Sequence, residues 1–429
     1  MFILYDLIFL IISLFYLPVY LFRGKFHRGF AARLGFLPKG LTLGRPIWIH
    51  AVSVGEAMAV RPLVRELKKT WPGKKFVLST VTPTGNKIAQ GIAGGDDLIT
   101  FLPLDFSFIV KRVIRRINPC VFIIVETEIW PNLISRLYKN NIPIVLLNAR
   151  ISDKSFKGYR MIKFLMQPIL RKVGLFCVQA QRDAERLLFL GASPEKVKVT
   201  GNMKFDLNDC TDYRNDYTDY RIKLGLNSGE RLLVAGSTHP GEEEIMLQAY
   251  KGLLRRFPDL KLLLAPRHPQ RSGAVAGIAS RFAFHPVCVS QLPDKCPACS
   301  ANAVFILDTV GELVSFYCAA DIVFVGGSLV KRGGHNILEP AAAGKPVIFG
   351  PFMFNFRGIS ELFLKNEAAF LARGPEELEE KISWLLSNPA RAAELAVAGR
   401  RLIQDNQGAT RRNLEYIKAA CFERQVMLV

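Results

Sequence analysis

Short, almost wholly apolar runs recur along this chain, each followed by a stretch whose apolar residues return at helical spacing. Ile47 to Val52 leads into a helix predicted from about Glu56 to Lys69. Phe76 to Thr80 leads into one after Pro83, and Val121 to Val125 into one after Pro131. Ile144 to Asn148, Leu175 to Val178 and Val197 to Val199 continue the rhythm. Strands without polar alternation are covered on both faces, and strands separated by helices pair in parallel. Residues 23–205 are therefore predicted to form a doubly wound, Rossmann-like α/β domain. A polar stretch, Asp206 to Glu230, interrupts the pattern. The alternation restarts with Leu232 to Ala235, Leu262 to Ala265, Val304 to Leu307, Ile322 to Val325 and Val347 to Phe349. A second Rossmann-like domain is expected over 206–429, with a cleft between the two. Pro375 to Leu386 and Ala390 to Ala420 read as helices, with the option of packing back across the first lobe.

The N-terminal run differs in kind. From Phe2 to Phe22 it carries one charge, Asp6, and at ~1.5 Å per helical residue it is long enough to cross a hydrocarbon layer of ~30 Å. A cleaved signal peptide fits poorly, because no basic region precedes the run and no small-residue cleavage site follows it. Residues 1–22 are thus expected to be a retained single-pass anchor. Arg23, Lys25, Arg28, Arg33 and Lys39 follow it and place the catalytic domains on the cytoplasmic side by the positive-inside rule. The same basic flank, with Phe26, Phe30 and Phe36 interleaved, suits anionic headgroups. The formal charge of +20 over 429 residues also points to an acidic partner: nucleic acid, an anionic membrane or a phosphorylated substrate.

Several chemistries are disfavoured by what the chain omits. It has neither G-x-G-x-x-G nor G-x-x-x-x-G-K-[ST], which argues against a dinucleotide fingerprint and a P-loop. Cys296-Pro297-Ala298-Cys299 has the spacing of half a zinc site, yet no second pair completes four ligands, so no metal and no cofactor are expected. The eight cysteines sit mostly singly in apolar runs, as reduced core residues do.

Candidate chemistry collects at predicted strand ends. His50-Ala51-Val52-Ser53-Val54-Gly55-Glu56 closes the first strand, where doubly wound sheets bind ligands; taken alone, Glu56 reads first as a favourable first-turn helix carboxylate. Glu126-Thr127-Glu128-Ile129-Trp130-Pro131 closes another strand, and a carboxylate there needs a partner or a hydrogen bond; capping of the Pro131 helix is the competing explanation. Lys204, in Gly201-Asn202-Met203-Lys204, ends the first lobe. In the second lobe, Gly236-Ser237-Thr238-His239-Pro240, Pro266-Arg267-His268-Pro269 and Val310-Gly311-Glu312-Leu313 all follow strands. So does the glycine-rich run Gly326 to Pro340, which leads into a helix expected from Leu338 to Ala343. Its glycines and helix N-terminus suit a phosphate, with Lys331, Arg332 and His335 as added donors and Asn336 and Glu339 placed for a ribose or a base. An ordinary strand-to-helix turn would use the same glycines for packing alone.

These segments in order, including SVGEAMAVRPLV, STVTPTG, VETEIWPN, NARISDKS, GNMKFD, GSTHPGEEE, APRHP and FVGGSLVKRGGHNILEPAAAGKPVIFGP, resemble the Kdo (3-deoxy-D-manno-octulosonic acid) transferases of lipopolysaccharide synthesis across nearly the whole chain. The resemblance implies a GT-B fold and metal-independent, inverting transfer of Kdo from CMP-Kdo to the lipid A precursor at the cell inner membrane. By matching position, it makes Glu56 the proton acceptor and Glu126 and Lys204 stabilisers of the transition state. Pro266, Arg267, Gly311, Glu312, Leu313, Asn336, Ile337, Leu338 and Glu339 fall in segments resembling the CMP site. Two other classes share some of these features: a GT-B enzyme using a UDP-sugar, and a membrane-tethered nucleic-acid-binding protein. The second lacks RRM or helix-turn-helix signatures, so no nucleic-acid partner is expected.

Overall fold

The computed structural model describes residues 5–11, 13–15, 29–38, 40–206, 217–293, 300 and 302–422. They fall into two compact units, Met1–Asp206 joined by Asn406–Val429, and Leu207–Asp405.

The first unit is built on seven strands: β1 (Ile47–His50), β2 (Phe76–Thr80), β3 (Leu98–Phe101), β4 (Val121–Val125), β5 (Ile144–Ala149), β6 (Leu175–Val178) and β7 (Val197–Val199). They lie in the order β3-β2-β1-β4-β5-β6-β7, and every pairing is parallel. The chain starts in the middle of the sheet, runs out to β3, then returns to β4 and proceeds the other way. That reversal leaves a crevice at the carboxyl ends of β1 and β4. Strand alternation sends Trp48, Phe122 and Ile124 into the core on one face and Ile47, Ile49 and Ile123 into the core on the other, which is why these strands are apolar throughout.

The C-terminal helix Ala409–Phe422 completes this unit. Leu414 and Ile417 are buried in the same core as β1, each contributing about 2 kcal/mol by burial. Asp206 accepts hydrogen bonds from the Gly408 and Thr410 amides at 2.6 and 2.5 Å, so the residue at the unit boundary also caps that helix. The helix Pro375–Ser387, in contrast, buries Leu378, Ile382 and Leu385 in the core of the second unit.

The expected anchor over Phe2–Phe22 lies in large part outside the described residues. Among those described, no helix is long and apolar enough to cross a membrane. Residues 5–11 and 13–15 are helical. One side of this helix rests on the first unit: Phe9 packs edge-on against Phe106, and Asp6 accepts from the Ser107 amide (3.1 Å), the Ser107 hydroxyl (2.5 Å) and the Asn132 amide group (2.7 Å). The single charge of the apolar run thus caps the helix Ser107–Ile117, whose N-cap residue, Phe106, has no capping side chain. Leu7, Ile8, Leu10, Ile11, Leu14 and Phe15 remain exposed.

The second unit repeats the architecture with β8 (Arg231–Thr238), β9 (Leu260–Pro266), β10 (His285–Cys288), β11 (Ala303–Ile306), β12 (Ile322–Val325), β13 (Val347–Phe349) and β14 (Phe370–Leu371). The order is β10-β11-β9-β8-β12-β13-β14, all parallel, with the reversal between β8 and β12. Cys296 and Cys299 lie outside the described residues, among which no cluster of His, Cys, Asp or Glu could hold a metal ion.

Candidate active site

In the first unit, Glu56 and Glu126 follow β1 and β4, the two strands that flank the reversal. Ser53 is the N-cap of the helix Val54–Thr70, accepting from the Glu56 amide. Glu56 in turn accepts from the Ser53 hydroxyl (2.9 Å) and the Val52 amide (2.7 Å), a variant of the capping box. The reading of Glu56 as a first-turn helix carboxylate is therefore realised, but it does not exhaust the residue. Its side chain is nearly buried, and burial, aided by the negative charge of Glu126, pushes its pKa up to about 7. A carboxylate so poised is a competent base near neutral pH.

Glu126 adopts φ = 61°, a left-handed conformation costing a non-glycine residue roughly 1–3 kcal/mol. It accepts from the Lys204 ammonium at 2.9 Å, with both side chains mostly covered. Lys204 belongs to the turn Met203–Phe205, which the sequence places after β7, three strands away from β4. The backbone explains the reach. Leaving β7, the chain turns at Gly201 (φ = 92°) and crosses back over the carboxyl ends of β6 and β5. It is pinned by the Gly201 amide to the Val178 carbonyl (3.3 Å) and by the Met203 amide to the Asn148 side chain (3.0 Å). Asn148 is fully buried at the end of β5. A polar residue closing an all-apolar strand was the available signal for this positioning role, which sequence reasoning did not use. Glu128, also raised by burial, accepts from the Trp130 indole at 3.0 Å.

In the second unit, the segments after β11, β9, β8 and β12 come from four adjacent strands, so their loops lie side by side at one sheet edge. Pro266 is the last residue of β9, and Arg267 beside it is exposed. Its charge reaches Glu339, whose pKa is raised by burial and drawn back down by Asn336 and Arg267. Asn336 donates to Glu339 at 3.0 Å and caps Leu338 at 3.1 Å, with Ile337 and Leu338 buried beneath them. After β11, Gly311 takes φ = 99° and Glu312 pairs with Lys223 at 3.0 Å, just ahead of the helix Leu313–Ala319.

One expectation is corrected here. The start of the glycine-rich loop, Gly327 to Leu329, does not offer its amides to a phosphate. Glu242, fully buried, accepts from the Gly327 (2.6 Å), Ser328 (2.9 Å), Leu329 (2.8 Å) and His239 (2.9 Å) amides. A carboxylate 85 residues earlier in the chain fills the concavity that a ligand was expected to take. The following helix spans only Leu338–Ala342, too short to act as an anion site by its dipole. Side chains suited to an anion stand around the loop: Arg267, His268, Lys331 and Arg332, all exposed, and His239 and His335, half-buried.

The sequence profile of a family described as 3-deoxy-D-manno-octulosonic-acid transferase (kdotransferase) matches residues 28–207, and a glycosyl transferase-like profile matches 301–418. A relative from Haemophilus influenzae named 3-deoxy-D-manno-octulosonic acid transferase is 37% identical over 87% of this chain and 86% of its own. The chain belongs to the Kdo transferase family. A second relative so named, from Chlamydophila psittaci, is 31% identical over 97% of this chain and 95% of its own. In fold, this Kdo transferase resembles a glycosyltransferase from Rickettsia africae, with a TM-score of 0.58 at 16% identity, covering 88% of this chain and 99% of that one. That likeness supports a GT-B-like glycosyltransferase architecture of two parallel seven-stranded α/β units.

Proposed function

We propose that this enzyme moves Kdo from CMP-Kdo to the lipid A precursor, with inversion and without a metal or cofactor. The observation that carries the proposal is Glu56: a carboxylate with a pKa of about 7, beside the Glu126–Lys204 pair at the sheet reversal. Glu56 takes the proton from the acceptor hydroxyl as that oxygen attacks the anomeric carbon of Kdo. The bond to the CMP phosphate breaks with its electron pair going to the phosphate oxygen. Positive charge builds on the sugar and negative charge on the leaving group, so a carboxylate such as Glu126 and an ammonium such as Lys204 each stabilise one end.

The donor nucleotide is assigned to the sheet edge carrying Pro266, Arg267, Gly311–Leu313 and Asn336–Glu339. Attachment to the inner membrane, with both catalytic units on the cytoplasmic side, is assigned to Phe2–Phe22 and its basic flank. The outward apolar residues between Leu7 and Phe15 suit hydrocarbon, and the basic flank suits an anionic surface. Calorimetric titration separates this from a UDP-sugar enzyme: CMP binds and UDP does not, and Arg267→Ala weakens CMP at least several-fold. Tight UDP binding with none for CMP would overturn the donor.

A further inference from the structure

The side-chain group left facing the glycine-rich loop has an unusual feature that the donor assignment does not use. The Nε2 atoms of His239 and His335 lie 2.9 Å apart, with the rings parallel to within 5° and their centroids 5.1 Å apart. The pair sits directly on Gly327. A Cβ there would come within 2.9 Å of His335 Cδ2 and 3.4 Å of His239 Cδ2, so glycine is needed at that position for the pair to close over the loop. His268 stands edge-on to His239, with centroids 6.2 Å apart.

Two imidazoles joined through Nε2 share one hydrogen: one ring donates Nε2–H and the other accepts. This has a chemical consequence. The pair can take up a single proton at the free Nδ1 of the donating ring without breaking its own hydrogen bond, gaining a full positive charge and a new N–H donor. A second proton would break the bond. Burial and the positive charge around the pair hold that first proton off. Burial, with Arg332, His268, Arg271 and Arg267 nearby, lowers His239 to about 4. Burial, with Arg267 and the other two histidines, lowers His335 to about 3.

The carboxylates packed against the pair do not relieve this. Glu242 is spent on four backbone amides. Glu243 is committed to Arg271 at 2.8 Å and to the Thr238 hydroxyl at 2.8 Å. Glu339 holds Asn336. The pair is thus a neutral one with a single acceptor nitrogen for a proton, set among Arg267, Arg271 and Arg332.

We propose that the His239–His335 pair is a one-proton receptor for the phosphate of a nucleoside monophosphate, so that the anion and a proton bind together. This rests on the donor reading above and extends it: an arriving phosphate removes the repulsion that kept the pair neutral, and the pair then supplies a charge-assisted donor. Binding of the leaving nucleotide, whose phosphate carries the larger charge after transfer, is favoured most.

The test is calorimetric titration of the full-length protein in detergent at pH 7.5, where free CMP is close to fully ionised because its second phosphate pKa is about 6. Two buffers of different ionisation enthalpy are compared. The expected result is uptake of a substantial fraction of a proton per CMP and none for cytidine, which lacks the phosphate. His335→Gln and His239→Gln each abolish the uptake and weaken CMP about tenfold, while His268→Gln keeps the uptake. CMP binding to the wild type with no buffer dependence overturns the proposal while leaving the donor reading standing. So does uptake that survives both pair variants. Failure of CMP to bind the wild type at all overturns the donor reading and the proposal with it. Should the pair variants not fold, His268→Gln decides: uptake with CMP that persists in it supports the pair as the proton acceptor, and uptake lost in it overturns the proposal.

Discussion

Glu126→Gln and Lys204→Met should move the acidic limb of the pH–rate profile in opposite directions. The coupling runs through Glu56, whose pKa of about 7 comes first from burial and second from the charge of Glu126. As a base it works ionised, so kcat/KM should fall as pH drops through about 7. Glu126→Gln deletes the like charge and leaves the burial. A like charge at ~4 Å is worth ~1 kcal/mol screened as in water and ~4 kcal/mol at an effective dielectric of 20. With the Lys204 ammonium 2.9 Å from Glu126 offsetting much of that field, a value near the lower end applies. The limb should therefore fall by roughly one pH unit, ~1.4 kcal/mol, and stay above the ordinary carboxylate range because the larger cause is untouched. Lys204→Met removes the counter-charge of Glu126 and should raise the limb. Both variants should also lose plateau rate, by about 10- to 1,000-fold if they stabilise developing charge. The assay is initial-rate transfer between pH 5.5 and 9 with acceptor well below saturation, so that kcat/KM reports Glu56 in the free site. General disruption of the site would lower rates without moving the limbs apart. Limbs that stay in place, or move the same way, would refute the coupling.

Two further outcomes bear on the scaffold. Glu242→Gln keeps one acceptor oxygen but turns an amide N–H2 toward backbone donors now served by Oε2, among them Gly327 and His239. At about 1–3 kcal/mol per unsatisfied buried group, it should lower the melting temperature by several degrees and weaken CMP; an unchanged melting curve would mean that the loop does not depend on this carboxylate. Asp6→Ala removes the cap on the helix Ser107–Ile117 and should cost about 1 kcal/mol, seen as a lower unfolding midpoint of the full-length protein, and a midpoint equal to wild type would detach the N-terminal helix from the first unit.

How far the sequence could be read depended on where each feature sits. Central strands such as Val121–Val125 and Ile322–Val325 are apolar because both faces are covered, and that pattern is visible without a structure. The edge or near-edge strands were missed for the opposite reason. Leu98–Phe101 is half-covered, in a buried–intermediate alternation. His285–Cys288 contains a proline and is partly exposed, and Phe370–Leu371 is two residues long. None carries enough apolar periodicity to stand out.

The site divides in the same way. Glu56 was legible locally as a first-turn helix carboxylate, but its raised pKa comes first from burial in the folded unit and second from Glu126, seventy positions away in the chain. Lys204 reaches Glu126 only because Asn148 and Val178 hold the returning backbone. The start of the glycine-rich loop was misread because its amides look open in the sequence; Glu242, on another strand's loop, occupies those of Gly327, Ser328 and Leu329. Long-range pairing of charges with backbone groups is set by sheet order, which no local pattern encodes.

Transfer itself is the decisive measurement. Purified full-length protein is incubated with CMP-Kdo and the lipid A precursor in the presence of EDTA, beside a Glu56→Gln variant, and the lipid product is weighed by mass spectrometry. The account predicts Kdo addition by the wild type with chelator present. It predicts loss of about 10²–10⁴-fold in rate for Glu56→Gln, with CMP binding retained. Near wild-type transfer by Glu56→Gln, or wild-type transfer that requires added magnesium, would contradict it.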